Sequence, residues 1–337
     1  MPIITLLGLL IFSSAPLIGA EITVAGLIIG TVIFSVAGGL GEVLTSPIIA
    51  ALPSDNPERE MSKLHSAYAF GVVGVIPFST LFLLLVGKER WWLLIAVLSL
   101  VPLVSSILFF LAKLPEVRMA EGESGAIGVI RDRGVWLFVL AIFLGGAAEC
   151  TMSQWASGYL ELSLGIPKVV GDLAGVSMFA LMLGLGRLLF ARYGRNIGKV
   201  IFVGSICSFV CYIVAALSPV PIIGLVGCAL TGLATSMFWP GSLMAATEKY
   251  ESGGVIIFAL MAAGGDLGAS VGPQLVGIVT DVLSGSSAVM SFAAERGLSR
   301  EGVSMRVGMI IGSLFSLAAI PTYCLVRRSR LREGREK

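Results

Sequence analysis

Ten long apolar runs dominate this chain and leave it little choice of fold. Bounded by charges and by Pro and Gly clusters, they fall at residues 3–20, 23–52, 65–87, 91–113, 135–160, 170–192, 199–217, 220–247, 254–281 and 305–326. A run of about 20 apolar residues is what a helix needs to cross roughly 30 Å of hydrocarbon. Lipid offers the backbone no hydrogen-bond partner, so such runs must close their hydrogen bonds internally, as helices. The expected fold is an all-α polytopic membrane protein, a bundle of about ten transmembrane helices. No segments of alternating polarity are present that would build a β-barrel. Composition agrees, with 56% hydrophobic and 13% charged residues, and the 42 glycines suit close helix packing in a membrane. No positive charge precedes the first run, which reads as a retained span rather than a cleaved signal.

An even number of crossings puts both termini on one side. The tail carries Arg327, Arg328, Arg330, Arg332, Arg335 and Lys337, and about 16 of the 23 Lys and Arg fall on that same side, against about 6 on the other. The positive-inside rule makes that side the cytoplasm. The longest central connection, residues 114–134, carries Glu116, Arg118, Glu121, Glu123, Arg131, Asp132 and Arg133 and reads as a cytoplasmic linker. It separates a four-span part, residues 1–113, from a six-span part, residues 135–337. A 4 + 6 division looks like a twelve-span plan, two halves of six, without its first two helices.

The net charge of +2 suggests no nucleic-acid partner. Cys150, Cys207, Cys211, Cys228 and Cys324 lie in apolar stretches without metal-ligand or redox spacing and are expected to be buried packing residues. No metal and no cofactor are expected. One histidine and no nucleophile–base motif argue against an enzyme.

Charges inside a membrane are costly, so each is a candidate for function unless it reaches the interface. Glu42 shares its helical face with Ser35, Gly38, Gly39, Thr45 and Ser46, whereas Val36, Leu40, Val43, Leu44 and Ile48 lie elsewhere on the helix. A small, polar face of this kind suits a cavity wall, or else a protonated acid bonded to a neighbouring helix. Glu149 falls mid-span near Gly145, Gly146 and Ser153, with Gln154 and Trp155 following. An amide beside an indole suits sugar binding, since the ring stacks on a pyranose and the amide bonds its hydroxyls; an interhelical polar clamp with a packing tryptophan is the alternative. Asp266 is also near mid-span, and Gln274 lies two turns along the same stripe. Arg187 lies little more than one turn from the inner end of its span, where it either snorkels or pairs with a carboxylate at a cytoplasmic gate. His65, with an ordinary pKa of about 6.5, opens the third span as a cap or interface residue, or titrates in a coupling cycle. Pro47, Pro77, Pro102, Pro240 and Pro273 interrupt spans, and the glycines around Pro273 make the ninth span the most flexible.

Residues Gly184–Lys199, GLGRLLFARYGRNIGK, resemble the G-x-x-x-D/G-R-x-G-R loop that major facilitator superfamily transporters carry after helix two and, in degenerate form, after helix eight. Here the loop follows the sixth span, which becomes helix eight if two spans are missing. GGLGEVLTSPIIAALP and LHSAYAFGVVG are similar to helices four and five of the fucose permease and sugar-porter branch. That resemblance implies Glu42 as proton or substrate carboxylate and Phe70-Gly71 as packing. Ser46 stands where the branch has asparagine, and His65 and Tyr68 where it commonly has amides. FWPGSLMAATEKY and GGDLGASVGPQ resemble helices ten and eleven of bacterial members.

The resemblance implies a monomeric permease of the bacterial cytoplasmic membrane, moving a small solute, a sugar first, with protons as coupling ion. Two halves would rock around a midplane site lined by Glu42, Glu149, Gln154, Trp155, Asp266 and Gln274, with Arg187 and Arg195 at the gate. Its rivals are an exporter of drugs or other solutes and a non-transporting remnant.

Overall fold

The structure, a computed structural model, describes residues 1–115, 128–250 and 253–336, those beyond 329 by backbone alone. The helices are α1 (Pro2–Ile18), α2 (Ala20–Ala51), α3 (Pro57–Val86), α4 (Trp91–Leu98), α5 (Leu100–Leu111), α6 (Arg133–Leu164), α7 (Ser177–Tyr193), α8 (Ile197–Leu217), α9 (Pro221–Thr235), α10 (Phe238–Lys249), α11 (Gly254–Ser284), α12 (Ser287–Glu295) and α13 (Arg300–Glu336). Among the described residues, nine helical stretches are long and apolar enough to cross a membrane, and Pro2–Ile18 is a shorter apolar helix. The all-α membrane bundle expected from the apolar runs is the fold observed.

Boundaries follow local chemistry. α3 begins eight residues before the expected span because Asn56 accepts a hydrogen bond from the Arg59 amide at 2.9 Å and Pro57 is pre-set for a first turn. Its two opening turns, PEREMSKL, are charged and therefore invisible to hydropathy. His65 consequently lies inside a helix and caps nothing. α6 starts at Asp132, whose carboxylate accepts from the Gly134 amide at 2.7 Å. It ends at Gly165, in a left-handed conformation with φ 68°. There the Gly165 and Ile166 amides bond Glu161 and Leu160 carbonyls in a glycine C-cap. Pro102 and Pro240 lack the amide that continues a helix, and the breaks α4/α5 at Ser99 and α9/α10 at Ser236–Met237 each precede one of them. A π-helical turn, Gly171–Val176, leads into α7.

The chain divides into two compact units, with Pro77 inside α3 marking one boundary between them. The first holds α1, α2, the second part of α3, α4 and α5. In it α1 and α2 approach closely, since a Cβ on Gly8 or Gly30 would meet the partner helix's backbone within about 3 Å. The second unit holds α3 up to Pro77 and all helices from α6 onward. Its core joins α6 residues Val135, Phe138, Ile142 and Ala148 to Phe238, Trp239, Met261 and Tyr323. Buried tyrosines also tie helices together: Tyr212 on α8 donates to the Ala148 carbonyl at 2.6 Å, Tyr323 on α13 to Ala141 at 3.0 Å, and Tyr159 to Ala215. One expectation needs correcting. Of the five cysteines only Cys228 is buried, and Cys207 is exposed, because α8 turns that face away from the core.

Candidate functional site

Arg187 is the most deeply buried charge in the second unit, at 1% exposure, and Glu149 beside it is 6% exposed. Small residues bring the surrounding helices together. A Cβ on Gly145 would lie 2.8 Å from that of Phe238, and one on Gly146 would lie 2.5 Å from the Gly265 carbonyl. Gly186 on α7 packs against Ser236 in the same way. The guanidinium is thereby placed where α3, α6, α7 and the α9/α10 break converge. Its Nη2 bonds both oxygens of Glu149 at 3.1 Å. Nε donates to the Ser236 carbonyl at 2.9 Å, and Nη1 to the His65 carbonyl at 2.8 Å.

Pro240 explains one of these bonds. In a continuous helix the residue four positions on would donate to the Ser236 carbonyl, but proline has no N–H. The arginine takes the acceptor that the proline leaves open. From α3, Ser62 Oγ donates to the Arg187 carbonyl at 2.7 Å, so this segment is held by side chain and backbone at once. The Tyr68 ring centroid lies 6.0 Å from the guanidinium carbon. Arg187 therefore pairs with a carboxylate and does not snorkel, and Glu149 takes the clamp arrangement. His65 Nε2 is buried without a hydrogen-bond partner in this cluster's neighbourhood.

Three faces run along α11. Gly265, Gly268, Gly272 and Val276 are buried against neighbouring helices. Leu267, Val271, Leu275, Ile278 and Val282 form an exposed apolar stripe, the face suited to lipid. Asp266, Ser270 and Gln274, spaced four apart, form an exposed polar stripe beside it. On α6, Gln154 is also exposed. Trp155 is half-buried and its Nε1 donates to the Pro273 carbonyl at 2.9 Å, while a Cβ on Gly277 would lie 3.1 Å from its ring. The indole thus lies along α11 and ties the stretch holding Gln154 to the one holding Gln274. Glu149 is not brought to Asp266: the first faces the buried arginine and the second is exposed.

In the first unit, Glu42 is half-buried on α2. A Cβ on Gly38 or Gly39 would meet nothing within 4 Å, so these two glycines of its face border open space. Ser46, one turn on, is buried. Arg195 is exposed in the turn between α7 and α8. Among the described residues no group of three His, Cys, Asp or Glu side chains is arranged to hold a metal ion.

The roles of Ser62, Ser236 and the His65 carbonyl escaped the sequence. Two are main-chain acceptors, which leave no residue-type signal, although Pro240 four positions after Ser236 was a usable hint.

Comparison with known proteins gives consistent matches. The family model described as Major Facilitator Superfamily matches residues 2–273. An uncharacterised MFS-type transporter of Yersinia pestis is 26% identical over 288 residues, covering 84% of this chain and 73% of that protein. FucP, solved in the outward conformation, superposes with a TM-score of 0.71 at 14% identity, over 97% of this chain and 81% of that one. The E. coli fucose:proton symporter FucP in a second structure gives 0.65 at 14% identity, over 96% and 83%.

Proposed function

The chain belongs to the Major Facilitator Superfamily, a transporter and not an enzyme, and from that premise we propose that it is a proton-coupled secondary active transporter of a small solute. The first candidate class is sugars, because the fold is that of a fucose:proton symporter and because the polar groups suit hydroxyl-rich solutes. The proposed cycle is alternating access, in a cell membrane, with both termini cytoplasmic and the chain acting as a monomer.

The observation that carries this reading is the polar stripe of α11. Asp266, Ser270 and Gln274 are exposed midway along a helix whose neighbouring stripe is Leu267, Val271 and Leu275. A carboxylate facing hydrocarbon at that depth is destabilising by about 2.5 to 3.5 kcal/mol or more, so the stripe calls for a water-filled path. Gln154 contributes an amide to the same path, and Trp155, its N–H committed to Pro273, contributes an apolar ring face.

Glu42 is proposed as the proton-carrying carboxylate, supported by the open space that Gly38 and Gly39 border one turn before it. Glu149 is proposed to act through Arg187, holding the guanidinium that grips α3, and Arg187 with Arg195 is proposed to gate the cytoplasmic end. Release of the His65 and Ser236 carbonyls by Arg187 would free that segment of α3 to shift.

Uptake of radiolabelled solutes into proteoliposomes with an imposed inward proton gradient tests the proposal, across a panel of hexoses, pentoses, disaccharides and hydrophobic cations. Gradient-dependent accumulation of one sugar class supports it. Accumulation of a hydrophobic cation when the gradient is reversed, protons leaving as the cation enters, with no gradient-dependent sugar uptake, would replace it with an exporter.

A further inference from the structure

A groove of about 560 Å³ runs along the surface between α8 and α9, lined by Lys199, Val203, Cys207, Cys211, Leu230 and Leu233 among others. Its inner wall includes Ser236, whose carbonyl Arg187 grips from the other side, and it is apart from the polar stripe of α11. Val203, Leu230 and Leu233 are 45%, 42% and 38% exposed, so the groove opens where a membrane-spanning helix pair meets hydrocarbon. From Lys199 to Cys211 the α8 backbone rises about 18 Å, close to one leaflet's share of a hydrocarbon core of roughly 30 Å. The groove thus has the reach of one acyl chain and the lining that such a chain requires.

Its end is different in kind. Lys199 stands in the first turn of α8, exposed, and Arg192 and Arg195 are exposed in the residues just before that helix. α8, α9 and the turn preceding α8 carry no Asp or Glu, so nothing on these elements neutralises the three cations. An apolar slot one leaflet deep that ends at Lys199, with no acid on its own two helices and Arg192 and Arg195 close by in sequence, matches one occupant, a lipid with an anionic headgroup. Lysine suits the position, since its stem covers apolar surface while the ammonium reaches the headgroup level.

We propose that the α8–α9 groove is a binding site for an anionic phospholipid from the leaflet on the side of the α7–α8 turn, the acyl chain lying between Val203 and Leu230 and the headgroup on Lys199. The site is separate from the proposed solute path, and its occupancy does not depend on which solute is carried.

The test is native mass spectrometry of the full chain extracted from vesicles of equal phosphatidylglycerol and phosphatidylcholine, counting retained lipids. The wild type should retain phosphatidylglycerol over phosphatidylcholine by about fivefold. Lys199→Gln should lower that ratio while a lipid is still retained. Val203→Trp, which fills the groove from an exposed position, should lose the retained lipid with an unchanged melting temperature. An equal ratio in the wild type, an unchanged preference in Lys199→Gln, or full retention by Val203→Trp would each overturn the proposal.

Discussion

Arg187 and Glu149 face each other through two hydrogen bonds of 3.1 Å, in a position where both side chains are almost wholly excluded from the surface. The pair sits where Arg187 also grips the His65 and Ser236 carbonyls, so it joins α6 and α7 to α3 and to the α9/α10 break.

Removing one member of a buried pair strands the other charge, with a typical loss of about 3 to 5 kcal/mol. Arg187→Leu and Glu149→Leu are each expected to lower the melting temperature of the purified protein sharply. The double variant Glu149→Leu/Arg187→Leu should recover part of that loss, because no charge is left stranded. A loss in the double variant equal to the sum of the two single losses would show that the two side chains are not energetically coupled.

Glycines with and without neighbours give a second prediction. Gly38 and Gly39 border open space, whereas a Cβ on Gly268 would overlap the Phe143 backbone. Gly38→Ala should leave the melting temperature unchanged or raise it, since alanine is the better helix former by about 1 kcal/mol. Gly268→Ala should lower it by an amount corresponding to about 1 to 3 kcal/mol, the usual result of overpacking. Thermal unfolding in detergent distinguishes the two.

The polar stripe predicts a separation of stability from transport. Asp266 and Gln274 are exposed, so Asp266→Asn and Gln274→Ala should fold with little change in melting temperature yet slow solute uptake at least about tenfold, the effect of losing one strong polar contact. Trp155→Phe removes the bond to the Pro273 carbonyl while keeping an aromatic face. It should reduce stability by about 0.5 to 1.5 kcal/mol and leave more uptake than Trp155→Ala. Melting curves and initial uptake rates on the same preparations provide the check.

Much of the architecture was legible because hydropathy and charge act over whole helices. The ten apolar runs reappear as helices, and the breaks at α4/α5 and α9/α10 lie close before Pro102 and Pro240. The start of α3 was not legible from hydropathy, because its first turns are charged, although Asn56 and Pro57 carried the capping signal. Side-chain pairing was harder. Arg187 and Glu149 are 38 residues apart, and periodicity describes each helix without saying which neighbour it faces. Asp266 was legible as a stripe residue because Ser270 and Gln274 share its four-residue spacing, whereas the grip on Ser236 depends on a carbonyl and so on backbone geometry alone.

The most direct test of proton-coupled transport is the proton movement itself. Proteoliposomes loaded with a pH-sensitive dye should show internal acidification on addition of the accepted sugar outside, in proportion to radiolabelled uptake. Glu42→Gln should abolish the acidification and the uphill accumulation while leaving sugar exchange across the membrane at equal concentrations. A Glu42→Gln variant that accumulates sugar at the wild-type rate with the same acidification would contradict the assignment of Glu42, and wild-type uptake without any pH change would contradict proton coupling altogether.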